Sequence, residues 1–155
     1  MADVTFKLNG KEVTVPEGTT VLEAALAVGV DIPTLCYHPA LPPDGNCRLC
    51  LVEIERWPTL QTACTTKVTN GMNVSTDTPQ VVQARQAILQ LLLADHRVGR
   101  DTCRKTGGCE LAALAEKYGV TETPFPPVRP HYPIEDPNPF IQVDRNACVH
   151  CWRCV

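Results

Sequence analysis

Several features that mark large classes of proteins are scarce in this sequence. Aromatic residues make up only 5% of its 155 residues, and the formal net charge is −3. A mildly acidic chain lacks the concentrated basic patch that nucleic acids and anionic membranes bind. The longest apolar run, residues 88–94, is too short to span a bilayer, and the N-terminus lacks the basic start and apolar stretch of a signal peptide. These absences predict a cytoplasmic protein with no nucleic-acid partner and no direct membrane insertion.

Recognisable catalytic and nucleotide-binding motifs are also missing. The sequence contains no Gly-x-Gly-x-x-Gly fingerprint and no phosphate-binding glycine loop. No Ser–His–Asp arrangement or carboxylate pair can be argued from its spacing. We therefore predict no catalytic residue in this chain, and no site for nicotinamide, flavin, molybdopterin or an organic substrate.

Cysteine and proline, in contrast, are abundant, with nine cysteines and 14 prolines in the chain. An odd number of cysteines cannot form a fully paired disulfide framework. Dense cysteines in short-spaced groups are typical of metal ligands in a reducing compartment. The composition therefore favours metal binding before any single motif is considered.

The first part of the chain predicts a β-grasp-like order of strands and one helix. Alternating apolar residues on both sides of Asn9-Gly10 indicate a hairpin. Thr20 and Glu23 form the pattern of a capping box for a helix that Gly29 is placed to end. After a proline-containing loop, further strands are predicted at residues 49–54, 60–63 and 72–74.

The second part predicts two helices and a proline-rich strap. Thr78 and Pro79 mark the start of a helix over residues 78–95, and a second helix is predicted over residues 110–118. Seven of the 14 prolines follow between residues 121 and 140. Such a stretch is extended and stiff, which is typical of a strap or linker and not of a core.

The first cysteine group is Cys36-x10-Cys47-x2-Cys50-x13-Cys64. Three thiolates on or beside one loop and a fourth from a later strand can enclose a 2Fe–2S cluster. Four thiolates also suit a structural zinc ion. Zinc sites usually combine two close pairs, whereas here one pair is flanked by two single cysteines, so the spacing favours iron–sulfur.

The last cysteine group is Cys148-x2-Cys151-x2-Cys154. This spacing supplies the first three ligands of a ferredoxin-type 4Fe–4S cluster. The sequence ends one residue after Cys154, so we expect the fourth ligand to come from a continuation of the chain or from a partner. The alternative is a tail that holds no cluster, because an incomplete ligand set gains little binding energy.

Three segments resemble a known family. They are DIPTLCYHP from Asp31, GNCRLCLVE from Gly45 and TACTT from Thr62, and they are similar to the 2Fe–2S domain of the large iron–sulfur subunit of respiratory complex I. The same module occurs in NAD-linked formate dehydrogenases and in NAD-reducing and bifurcating hydrogenases. The similarity continues through residues 91–111 and 132–155.

The resemblance implies an α+β fold with four consecutive regions. Residues 1–78 would form a β-grasp 2Fe–2S ferredoxin-like domain, and residues 79–119 a helical segment resembling a His/Cys-type 4Fe–4S domain. Residues 120–139 would be the proline-rich strap. Residues 140–155 would begin a ferredoxin-type 4Fe–4S module.

The resemblance also implies a second cluster site, from which one ligand is missing. The family spacing, His-x3-Cys-x2-Cys-x5-Cys, places His96, Cys103 and Cys109 at ligand positions, but Arg100 stands where the first cysteine belongs. A guanidinium has no lone pair to donate to iron. Either a 4Fe–4S cluster is held by three protein ligands, with water or Asp101 as the fourth, or the segment holds no cluster.

The function implied is one-electron relay within a hetero-oligomeric, NAD(H)-linked oxidoreductase. A flavin- and NAD-binding subunit would be one partner, and a formate dehydrogenase, hydrogenase or quinone module the other. The competing hypothesis is a zinc-stapled or cluster-free scaffold that binds partners without electron transfer. A free-standing ferredoxin is a third hypothesis.

The departure at Arg100 generates a direct test. We expect Arg100→Cys to create or strengthen a 4Fe–4S signal, because it restores the thiolate that the family spacing requires. Iron content and low-temperature EPR of the dithionite-reduced variant would measure the gain. If no added iron were detectable in the variant, the interpretation that the segment holds no cluster would survive.

Overall fold

The computed structural model describes residues 2–96, 108–126 and 132–154. The chain divides into two compact units, one formed by residues 1–85 with 152–155 and the other by residues 86–151. Within the described ranges, no helix is long and apolar enough to cross a membrane.

The first unit contains a five-stranded sheet with the strand order β2-β1-β5-β3-β4. Strands β1 and β5 pair in parallel at its centre, and the other neighbours pair antiparallel. This order confirms the predicted β-grasp arrangement. The strands are β1 (Asp3–Leu8), β2 (Lys11–Pro16), β3 (Leu51–Ile54), β4 (Gln61–Thr62) and β5 (Asn73–Ser75).

Local sequence signals explain how this unit begins. Asn9 and Gly10 have φ values of 51° and 79°, the left-handed conformation that a tight hairpin turn between β1 and β2 requires. Helix α1 (Val21–Ala27) opens with the predicted capping box. The Thr20 hydroxyl accepts from the Glu23 backbone N–H at 3.2 Å, and the Glu23 carboxylate accepts from the Thr20 N–H at 2.8 Å.

The core of the first unit joins the hairpin, α1 and the cysteine-bearing segments. Phe6 and Leu22 are each 1% exposed within it, and Cys50 and Cys64 belong to the same cluster of buried side chains. The thiols of Cys50 and Cys64 are therefore part of the hydrophobic core.

The helices of the second half lie close to their predicted ranges, and the second one ends at Lys117, one residue before the predicted end. Helix α2 (Pro79–Asp95) is capped by Thr78, whose hydroxyl accepts from the Val81 N–H at 3.3 Å. Helix α3 (Glu110–Lys117) is followed by Gly119 at φ 66°. In the second unit, the Gln86 side chain donates to the Tyr118 carbonyl at 3.0 Å.

Several predicted boundaries differ from the structure. Strand β4 covers residues 61–62 instead of 60–63, and β5 covers residues 73–75 instead of 72–74. Strand β3 begins at Leu51 and not at residue 49, because residues 49 and 50 form a turn after Arg48, which has φ 59°. Residues 135–138 of the predicted strap form strand β6 (Glu135–Asn138), which pairs with β7 (Ile141–Val143) through an irregular register. A proline fits such a two-stranded ribbon, because both strands are edge strands.

The burial of α1 generates a stability prediction. We expect Leu22→Ala to lower the free energy of unfolding by about 2–5 kcal/mol, since it leaves a cavity in the core. Leu26→Ala is the matched control, because Leu26 lies on the same helix and is 53% exposed. Equal losses in chemical denaturation would contradict this account of the core.

Candidate metal centres

Four cysteines gather beside the β3–β4 pair in the first unit. Cys50 directly precedes β3, and Cys64 follows β4 by two residues; the antiparallel register Leu51↔Thr62 places these two chain ends side by side. Cys36 and Cys47 come from the loop between α1 and β3. All four thiols are buried, with relative exposures of 9% for Cys36, 6% for Cys47, 1% for Cys50 and 1% for Cys64.

The four thiols are arranged as two pairs. The Cys47 backbone N–H donates to the Cys36 sulfur at 3.5 Å, and the Cys50 and Cys64 sulfurs lie 3.4 Å apart. None of these cysteines forms a disulfide. Two pairs of thiolates are the donor set that a 2Fe–2S cluster needs, since each iron takes two cysteines.

The backbone around the cysteines is shaped for close approach. Gly45 has φ 69°, and a Cβ there would lie 3.2 Å from the Thr65 methyl group, so a side chain would be strained and crowded. The segment that bears Cys64 is anchored on both sides: the Ala63 N–H donates to the Cys50 carbonyl at 2.9 Å, and the Leu22 N–H donates to the Ala63 carbonyl at 3.0 Å. These bonds fix Cys64 relative to Cys50 and α1.

Burial and mutual contact shift the pKa values of Cys47, Cys50 and Cys64. Burial is the main cause that raises the pKa of Cys47 to about 11. The hydrogen bond with Cys64 is the main cause that lowers the pKa of Cys50 to about 7. The same bond, followed by burial, raises the pKa of Cys64 well above its ordinary value. Each pair therefore resists full ionisation by itself, and soft cations that displace the protons would fit this donor set.

Arg85 is a functional candidate that the sequence analysis missed. Its side chain is buried, and it donates from Nε to the Leu49 carbonyl at 3.1 Å and from Nη2 to the Leu51 carbonyl at 2.7 Å. The periodicity of the helix could have identified Arg85 as a buried residue. Arg85 is four residues from both Val81 and Leu89, which are fully buried, so it occupies the inward face of α2.

In the second unit the structure brings together two of the three ligands predicted for the second site. His96 follows α2 and Cys109 is the N-cap residue of α3, with 3.8 Å between the His96 Nε2 and the Cys109 Sγ. Burial lowers the pKa of His96, which favours the neutral imidazole that can bind a metal. Arg100, Asp101 and Cys103 lie outside the described residues.

A backbone N–H group contacts one thiol of the last cysteine group. Cys148 and Cys151 belong to the second unit and Cys154 to the first. The His150 N–H donates to the Cys148 sulfur at 3.4 Å, and His150 itself has φ 53°. Backbone N–H groups that turn toward sulfur in this way are suited to cluster ligation, because they stabilise the thiolate.

Side-chain contacts anchor the segments that carry this last group. In the second unit, the Asn146 side chain accepts from the Tyr132 N–H at 3.0 Å and donates to the Tyr132 carbonyl at 2.8 Å. In the first unit, Arg153 donates from Nε to the Leu35 carbonyl at 2.8 Å. Arg153 directly precedes Cys154 and Leu35 directly precedes Cys36, so the two ligand loops are joined by a hydrogen bond.

Two protein families match most of the chain. Residues 1–79 match the family described as "2Fe-2S iron-sulfur cluster binding domain". Residues 85–124 match the family described as "NADH-ubiquinone oxidoreductase-G iron-sulfur binding region". The first match contains Cys36, Cys47, Cys50 and Cys64, and the second contains His96, Cys103 and Cys109.

Individual relatives agree with these families. The chain is 40% identical to the NADP-reducing hydrogenase subunit HndD of Solidesulfovibrio fructosivorans, over 99% of this chain and 27% of that protein. It is 36% identical to the mitochondrial NADH-ubiquinone oxidoreductase 78 kDa subunit of Candida albicans, over 100% of this chain and 22% of that protein. The chain therefore spans about a quarter of the length of these relatives.

A solved structure has the same fold. A chain of the crystal structure of an NAD+-reducing NiFe-hydrogenase in the H2-reduced state superposes with a TM-score of 0.90 at 36% sequence identity. The match covers 99% of this chain and 65% of that chain.

The paired arrangement of the thiols predicts the effect of a ligand substitution. We expect Cys47→Ser to bleach or weaken the visible absorption and EPR signal of a 2Fe–2S cluster, because serine replaces a soft thiolate with a hydroxyl. Cys148→Ser is the matched control and should leave that signal unchanged. An unaltered 2Fe–2S spectrum in Cys47→Ser would remove Cys47 from the ligand set.

Proposed function

Because the chain belongs to the family of the large iron–sulfur subunit of respiratory complex I, we propose that it relays single electrons within a multi-subunit oxidoreductase. The observation that carries this proposal is the pairing of four buried thiols inside the first unit. A bound 2Fe–2S cluster supplies the one-electron chemistry there.

The chain's own residues bind the cluster and exclude water from it. We propose that Cys36 and Cys47 hold one iron, and that Cys50 and Cys64 hold the other, since these are the pairs in contact. Burial in the core keeps water from the sulfurs and limits structural rearrangement when the charge changes. The hydrogen bonds to the Cys50 carbonyl and from the Leu22 N–H fix Cys64 relative to Cys50 and α1.

Two further cluster sites complete the proposed relay. The contact between His96 and Cys109 supports a second site that would also use Cys103. Cys148, Cys151 and Cys154 are proposed as three ligands of a 4Fe–4S cluster. The bond from Arg153 to the Leu35 carbonyl joins the segments that contain Cys154 and Cys36, both of which belong to the first unit.

The relatives indicate which partners to expect. They are named as subunits of NADH-quinone oxidoreductase and of NADP-reducing hydrogenase. We propose that this chain works in a hetero-oligomer between a flavin- and NAD-binding subunit and a terminal redox subunit of the formate dehydrogenase, hydrogenase or quinone type. A cytoplasmic location belongs to this proposal, because closely spaced cysteines serve as metal ligands most readily in a reducing compartment.

The metal content of the anaerobically purified complex tests the proposed function. We expect iron and acid-labile sulfide at about six or more per chain, with 2Fe–2S and 4Fe–4S signals in low-temperature EPR after dithionite reduction. About two irons per chain with a 2Fe–2S signal alone would limit the relay to the first unit. Zinc in place of iron, or no metal, would overturn the proposal in favour of a scaffold.

A further inference from the structure

We propose that Arg85 is a positioning residue that holds the Cys50 segment in place and raises the reduction potential of the 2Fe–2S cluster. This inference rests on the proposed function, because it assumes that the four thiols bind that cluster. It assigns to a helical arginine outside the cysteine motif a role in setting the energy of electron transfer.

The contacts of Arg85 enclose Cys50. Its side chain is 1% exposed, and its guanidinium donates to the carbonyls of Leu49 and Leu51, which are the residues immediately before and after Cys50. Arginine presents its donors in a rigid planar fork, so two bonds from one guanidinium fix both position and orientation. Arg85 therefore connects α2 to the peptide units on either side of this proposed ligand.

The electrostatic setting of Arg85 is asymmetric. Its Nη1 lies 3.5 Å from the Asp77 carboxylate, whose side chain is 75% exposed, whereas the Arg85 side chain is 1% exposed. Water screens an exposed carboxylate far more than a buried guanidinium. In the interior, where Cys50 and Cys64 lie, the positive charge of Arg85 therefore has a larger electrostatic effect than the negative charge of Asp77.

A buried cation at this position favours the reduced cluster. Reduction adds one electron, and therefore one negative charge, to a site already surrounded by thiolates. A nearby positive charge lowers the free energy of the more negative state by more than that of the less negative state. Arg85 thus has two separable effects. Its hydrogen bonds fix the geometry around Cys50, and its positive charge shifts the reduction potential upward.

Three variants of the full-length chain separate these effects in an EPR-monitored redox titration. Arg85→Gln removes the charge and keeps a hydrogen-bonding side chain, whereas Arg85→Lys keeps the charge and loses the planar fork. Arg56→Gln is the matched control, because it removes an arginine of the same unit whose side chain is 90% exposed.

We expect Arg85→Gln to lower the equilibrium constant for one-electron reduction about tenfold. This change corresponds to a midpoint potential about 59 mV lower. Arg85→Lys should return the potential close to the wild-type value while retaining less iron, since one ammonium does not reproduce the two-pronged contact. Arg56→Gln should leave both the potential and the iron content unchanged.

Each alternative outcome is informative. A wild-type potential in Arg85→Gln, with the 2Fe–2S signal retained, would overturn the inference and leave the proposed function intact. Loss of the cluster in both Arg85 variants would overturn the proposed effect on the reduction potential, because the charge retained in Arg85→Lys would then rescue nothing. Cluster loss in Arg85→Gln alone, with a wild-type potential in Arg85→Lys, would support it. Absence of a 2Fe–2S signal from the wild-type protein would instead count against the proposed function itself.

Discussion

The structure of the first unit depends on burying four cysteines, with the Cys50 and Cys64 sulfurs 3.4 Å apart and the Cys36 sulfur 3.5 Å from the Cys47 backbone nitrogen. Such a group is unfavourable by itself, because thiolates repel in a low-dielectric interior and desolvation opposes their ionisation. The rise of the Cys47 pKa with burial and the uneven pKa values of Cys50 and Cys64 both follow from this constraint. A cluster that brings positive iron into the group turns the same proximity into a stabilising interaction.

The surrounding fold supplies what this arrangement needs. Pairing of β3 with β4 brings Cys50 and Cys64 together, and the Leu22 N–H ties the intervening segment to α1. Because Cys50 and Cys64 are also members of the hydrophobic core, the geometry of the site depends on the packing of the domain. Metal binding and folding stability are therefore coupled in this unit.

Local sequence signals predicted most of the secondary structure. The capping box at Thr20, the Asn9-Gly10 turn and the start of α2 at Pro79 depend on neighbouring residues, so they could be recognised without tertiary information. The start of β3 was predicted two residues too early, and the pairing of residues 135–138 was not predicted. The first depends on the backbone turn at Arg48, and the second on a partner strand that pattern alone did not connect to the proline-rich stretch.

The sequence by itself determined the candidate ligands, because the cysteine spacings, the match to an iron–sulfur family and the arginine at position 100 can all be read from the order of the residues. The spacing could not determine how the first four thiols divide into pairs, since that follows from the strand register and from backbone bonds across the loop. Nor could it assign a role to Arg85, which looks like any helical arginine until the Leu49 and Leu51 carbonyls are placed against it. Ligand identity depends on side-chain chemistry, whereas pairing and electrostatic environment depend on contacts between residues far apart in the chain, and only the tertiary structure decides those.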